Sequence, residues 1–159
     1  PQEAQRTFET NVIGAIRVTR AVLPAMRSRR SGVIVNMGSL AGRVGMPFQG
    51  LYSASKFALE GLTESLRQEV AGAGIRVALV APGDTATPVV ENRVRTSGAA
   101  DPASAYAADF ARIVAMYEAD ERAGAPAGRV AARIADIVEG RRNAPRHVVG
   151  PLPQRLMVA

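Results

Sequence analysis

The stretch GVIVNM, Gly32–Met37, decides the fold. Val33, Ile34 and Val35 form an apolar, β-branched run with no polar alternation, the pattern of a strand covered on both faces. A second run of this kind, IRVALVAP at Ile75–Pro82, follows after a loop and an amphipathic segment. The loop is SLAGRVGMPFQG, Ser39–Gly50, and the segment from about Tyr52 to Ala71 has helical periodicity. Gly72 and Gly74 stop that helix before the second strand. Upstream, residues 3–30 place Phe8, Val12, Ile16, Leu23 and Met26 at helical spacing, which predicts one long helix with a kink near Pro24. Two helix-to-strand passages in succession predict an α/β protein with a right-handed, doubly wound parallel sheet. Ligands of such sheets bind beyond the carboxyl ends of the strands, which puts Ser39 and the loop PGDTATP, Pro82–Pro88, on the functional rim.

Past Pro88 the pattern loosens into VVENRVRTSGAADPAS, which reads as a mobile loop or lid, followed by a helix from about Ala103 to Ala123. After the break GAPAG, a helix over Arg129–Glu139 and a short strand near Arg146–Val149 close the pattern, for about three strands in all. The unit is expected to be a single partial domain over 1–159, with 88–126 as substrate loop and helix.

Composition excludes several classes of function. The 159 residues contain no cysteine and one histidine, so neither a disulfide framework nor a zinc site is expected. No apolar run reaches the roughly 18 residues of a membrane span, and PQEAQRTFETN has no secretory h-region, so a cytoplasmic setting is expected. The net charge is +6, but the arginines are spread through the chain and carry no interleaved aromatics, so no nucleic-acid partner is expected.

One residue stands out against that background. Lysine occurs once, as Lys56 in YSASK, whereas arginine occurs nineteen times. Tyr52 and Lys56 are four apart on a predicted helix and share a face. A free phenol has a pKa near 10, too high for a base at neutral pH, and an adjacent ammonium favours the phenolate. By contrast, His147 reads as structural, and Asp120 with Glu121 as a solvated face.

Around this pair the chain resembles the carboxyl-terminal part of a short-chain dehydrogenase/reductase. The family's YxxxK falls on Tyr52 and Lys56, and its active-site serine on Ser39 in NMGSLAG, thirteen residues before the tyrosine. Its helix asparagine falls on Asn11 in NVIG, and its PG-x-x-x-T loop on Pro82, Gly83 and Thr87. The resemblance covers residues 5–88 well and implies the carboxyl-terminal half of a Rossmann-like sheet. It implies that Tyr52 exchanges a proton with the substrate oxygen, that Ser39 donates a hydrogen bond to it, and that Lys56 lowers the tyrosine pKa and holds the nicotinamide ribose. Asn11 is then expected to place a water linking Lys56 to solvent. Pro82, Gly83, Thr85 and Thr87 are expected to contact the cofactor, which is NAD or NADP. The implied substrate is a small alcohol or carbonyl compound, and the implied assembly a homo-oligomer through the helices carrying Asn11 and Tyr52.

The family's glycine-rich G-x-x-x-G-x-G turn and its NNAG do not occur in this sequence. The chain is expected to begin near the family's fifth helix, leaving the strand at Val33–Met37 with an open apolar edge. Smaller departures are Ala81 before the PG pair, where the family often has Asn, and Thr85, where it often has a branched aliphatic residue. Two functions compete on this reading. The first is an NAD(P)-dependent oxidoreductase interconverting an alcohol and a ketone or aldehyde. The second is a truncated, non-catalytic relative acting through helix-mediated dimerisation.

Overall fold

A computed structural model describes residues 1–93, 98 and 101–157. Three strands form a parallel sheet in the order β1 (Gly32–Met37), β2 (Ile75–Pro82), β5 (Arg146–Val149). The register sets Ile34 against Val77 and Met37 against Val80 in the first pair, and Leu79 against Arg146 in the second. All three strands fall where the apolar runs put them, because each run is flanked by helix-stopping or turn-forming residues.

Helices cover both faces of the sheet, as expected of a doubly wound sheet. Ile34, Ile75 and Val77 face one side, against Leu23 and Met26 of α2 (Gly14–Ser28) and Leu66 near the end of α3 (Gly50–Glu69). On the other side Ala78, Val80 and Val149 meet Val130, Ile134 and Ile137 of α5 (Ala127–Val138). Ile137 is 1% exposed. Burying a side chain of that size contributes about 1.5–3 kcal/mol. Arg76 fastens the far end of α5, donating to the carbonyls of Ile137 at 2.6 Å and Val138 at 2.9 Å, acceptors that a helix end leaves open. Gly74, at φ 70°, makes the turn into β2; a Cβ there would run into the carbonyl oxygen of Arg30.

The first helix departs from expectation. Residues 3–30 do not form one kinked α-helix: α1 (Gln2–Phe8) passes through a π-helical turn at Glu9–Ile13 into α2, which runs unbroken through Pro24. The helix therefore changes geometry at Asn11, not at the proline. The helix expected at 103–123 starts later, as α4 (Ala107–Arg122). Asp101 delays it by accepting from the Ala103 amide at 2.8 Å, a local turn that competes with helix. Two features had no sequence signal. Thr85–Ala86 (β3) pairs in parallel with Ala125–Pro126 (β4), and Leu152–Leu156 forms a short helix, α6.

No helix among the described residues is long and apolar enough to cross a membrane, and no group of three or more potential metal ligands occurs among them.

Candidate active site

The carboxyl ends of β1 and β2 and one face of α3 bring the predicted residues to one rim. Beyond β1, the Gly38 amide still donates to Val80 O at 2.8 Å, so the chain leaves the sheet in a fixed direction. Ser39 follows in extended conformation and caps the short 3₁₀ turn Leu40–Gly42, its Oγ accepting from the Ala41 amide at 3.1 Å. The Ser39 hydroxyl proton has no acceptor among the described residues, so the group is free to donate.

Tyr52 and Lys56 lie on successive turns of α3. The Lys56 ammonium is 5.6 Å from the centroid of the Tyr52 ring and donates to Met37 O at 2.8 Å, the last carbonyl of β1. An ammonium has three donors, so two remain. Burial holds the Lys56 pKa below the usual lysine value. Tyr52 is half-buried, and its hydroxyl has no hydrogen-bond partner among the described residues.

Asn11 reaches the same helix by another route. From the π-helical turn its Nδ2 donates to Ser55 Oγ at 3.0 Å, and Ser55 Oγ donates to Tyr52 O at 2.7 Å. Ser55 is fully buried and was not singled out from the sequence; its place inside YSASK was the only available signal. No direct bond joins Asn11 to Lys56 or Ser39 to Tyr52 among the described residues.

The loop after β2 continues the rim. Pro82 is the last residue of that strand, and the Gly83 amide extends the ladder by donating to Val149 O at 2.8 Å. Thr85 folds back, its Oγ1 donating to Gly83 O at 2.9 Å. Thr87 is exposed and its side chain makes no hydrogen bond among the described residues. Asp84 had gone unnoticed. Burial raises its pKa, the nearby Asp120 and Glu121 carboxylates raise it further, and a hydrogen bond from Gln154 opposes them.

Helix α4 joins this loop to the one before α3. Tyr117 donates to Pro47 O at 3.3 Å, and the Phe48 and Phe110 rings meet edge to face at 5.5 Å. Phe48 sits at φ 58°, an uncommon conformation for a bulky residue. Glu121, read from sequence as solvated, is instead mostly buried and takes both of its hydrogen bonds from Arg93, at 2.7 and 2.6 Å.

This parallel sheet with helices on both faces has the fold of a short-chain dehydrogenase. The family described as short chain dehydrogenase matches residues 1–98, and the chain belongs to it. A 3-ketodihydrosphingosine reductase of Bacteroides thetaiotaomicron is 42% identical over 156 residues, covering 98% of this chain and 57% of the relative. A short-chain dehydrogenase from Streptomyces avermitilis superposes with a TM-score of 0.78 at 30% identity, over 99% of this chain and 56% of the other. A 3-oxoacyl-[acyl-carrier protein] reductase with bound NAD from Brucella melitensis gives 0.66 at 28% identity, over 93% and 50%. The chain thus spans about half the length of these relatives.

Proposed function

We propose that this chain carries the catalytic part of an NAD(P)-dependent oxidoreductase that interconverts an alcohol and a ketone or aldehyde. The observation that carries the reading is the Lys56 ammonium, fixed on Met37 O beside a Tyr52 ring whose hydroxyl is free. The donors left open fit a nicotinamide riboside: two spare N–H groups on Lys56 for ribose hydroxyls and the hydroxyl of Thr87, with Pro82, Gly83 and Thr85, whose own polar groups are engaged within the protein, giving contact surface beside them. When bound, the cofactor gives or takes the hydride at the substrate carbon.

This chain's own residues handle the proton. In the reducing direction Tyr52 gives its phenolic proton to the carbonyl oxygen, while Ser39 donates a hydrogen bond to that same oxygen as negative charge grows there. Lys56 supplies a positive charge beside the phenol as it loses its proton. Asn11 holds the π-helical turn against Ser55, and its amide oxygen is left to accept from a water that returns a proton towards Lys56. Oxidation runs the same steps in reverse.

The first relative's name specifies a keto compound, and the apolar pair formed by Phe48 and Phe110 of α4 suits the carbon chain of such a substrate. In this reading the described residues of 88–126 line the substrate side; 94–97, 99 and 100 of that stretch lie outside the described residues. The exposed apolar residues Val18 on α2 and Leu51, Phe57 and Leu62 on α3 suit a homo-oligomer through those two helices. Oxidation of NADH and NADPH, followed by absorbance with a series of aliphatic ketones and aldehydes, tests the activity. Turnover with a ketone supports it, and no carbonyl-dependent oxidation of either cofactor would reject it.

A further inference from the structure

Gln154 belongs to α6, and no step of the proposed reaction uses it. Its carboxamide nevertheless folds onto the loop after β2 and engages Asp84 with both ends. Oε1 accepts from the Asp84 amide at 3.0 Å, and Nε2 donates to the Asp84 carboxylate. The same oxygen occupies the space that a Cβ on Gly83 would need, so a side chain there would push the Gln154 carboxamide off Asp84. Gly150 is pressed into the same junction, its would-be Cβ 3.3 Å from both Gln154 Oε1 and Gly83 Cα.

The clamp completes the bonding of the loop. The Gly83 amide is taken by Val149 O and the Gly83 carbonyl by Thr85, while the Asp84 carbonyl accepts from the Ala125 amide at 2.9 Å. Only the Asp84 amide then needs a partner, and Gln154 supplies it from seventy residues away. A loop with every polar backbone group of two adjacent residues engaged holds one geometry.

We propose that Gln154 is a positioning residue for the cofactor loop: α6 fixes the Gly83–Asp84 segment in the conformation that receives the nicotinamide end of NAD(P). The proposal rests on the reading of Pro82–Thr87 as a cofactor contact. It makes α6 part of the cofactor site, although the helix itself touches no reacting atom. The charged groups facing Asp84 from another element are Asp120 and Glu121 of α4, and Glu121 is already paired with Arg93.

The test compares wild type with Gln154→Leu, Gln154→Glu and Asp84→Ala on the whole protein. It measures hydrogen exchange at the Asp84 amide, cofactor Kd by fluorescence, and the KM and kcat for cofactor. Gln154→Leu is expected to speed exchange at Asp84 and raise cofactor Kd and KM about tenfold, with kcat at saturation nearly unchanged. Adding it to Asp84→Ala should cost little more, since the two act as a unit. Gln154→Glu keeps an acceptor for the amide but sets a second carboxylate against Asp84, so its cofactor KM should rise with pH where that of wild type is flat. Unchanged exchange at Asp84, or faster exchange with wild-type Kd and KM, overturns the proposal. A Tyr52→Phe arm separates the two readings. Loss of activity there with wild-type KM in the Gln154 variants rejects the clamp alone, and full activity there with raised KM in the Gln154 variants rejects the proton-transfer reading alone.

Discussion

The Lys56 ammonium donates to the Met37 carbonyl at 2.8 Å, so the one lysine of the chain ties helix α3 to the last residue of β1. The bond joins residues nineteen apart in the chain, one turn of α3 from Tyr52. A planar guanidinium directs its donors differently from a compact ammonium and carries its charge farther out. Lys56→Arg is therefore expected to lose most of the activity although the charge is kept. The lowering is about 10²–10⁴-fold in kcat/KM, the usual range for general acid–base catalysis. Steady-state kinetics beside Lys56→Met check this; Arg restoring wild-type turnover would show that charge alone suffices.

Ser55 lies between Asn11 and the backbone of Tyr52. Replacing it with Ala leaves the Asn11 amide facing a buried space without an acceptor, a loss of about 1–3 kcal/mol in stability. Asn11→Ala removes the donor, and Ser55 keeps its bond to Tyr52 O, so its cost in stability should be smaller. Its larger effect should fall on kcat. Denaturant unfolding of both variants beside their kinetics distinguishes the roles.

The core of the second face depends on Ile137. At 1% exposure and packed between Val80 and Val149, it has little room to collapse when shortened. Ile137→Ala should destabilise the protein by about 2–5 kcal/mol. A change in the denaturant midpoint with unchanged slope is the expected signature.

The single histidine gives a clean pH prediction. His147 lies in β5 with its Nε2 buried and without a partner among the described residues, and burial lowers its pKa below the ordinary histidine value. Arg133 and Arg142 lower it further, and a bond to the Ala144 backbone opposes them. The folded state therefore favours the neutral ring. Its contribution to stability is complete above the unfolded pKa and is lost as pH falls from there through the folded value. Melting temperature should drop as pH falls below about 6.5, the ordinary histidine value, and His147→Phe should flatten that drop. An equal drop in both proteins would contradict the assignment.

The same elements show how far sequence reaches. β1, β2 and the Tyr52 helix were legible because unbroken apolar runs and paired glycines mark them locally, and YSASK stood out through its lysine. The π-helical turn at Glu9–Ile13 was not legible, since Asn11 is held by Ser55 from 44 residues away and not by its neighbours. The β3–β4 pair is two residues long on each side, too short for any periodicity. Nothing in LPQRL announces that Gln154 meets Asp84, because both bonds are tertiary. Arg93–Glu121 was missed for the same reason: a charged pair in sequence says nothing of its burial.

In the proposed reaction the Tyr52 hydroxyl is the proton donor to the substrate carbonyl. The direct measurement is the rate of NAD(P)H-dependent carbonyl reduction by Tyr52→Phe, on protein shown to fold and to bind cofactor as wild type does. A fall in kcat of about 10²–10⁴-fold or more, with cofactor affinity retained, is expected. Carbonyl reduction by Tyr52→Phe at the wild-type rate would contradict it.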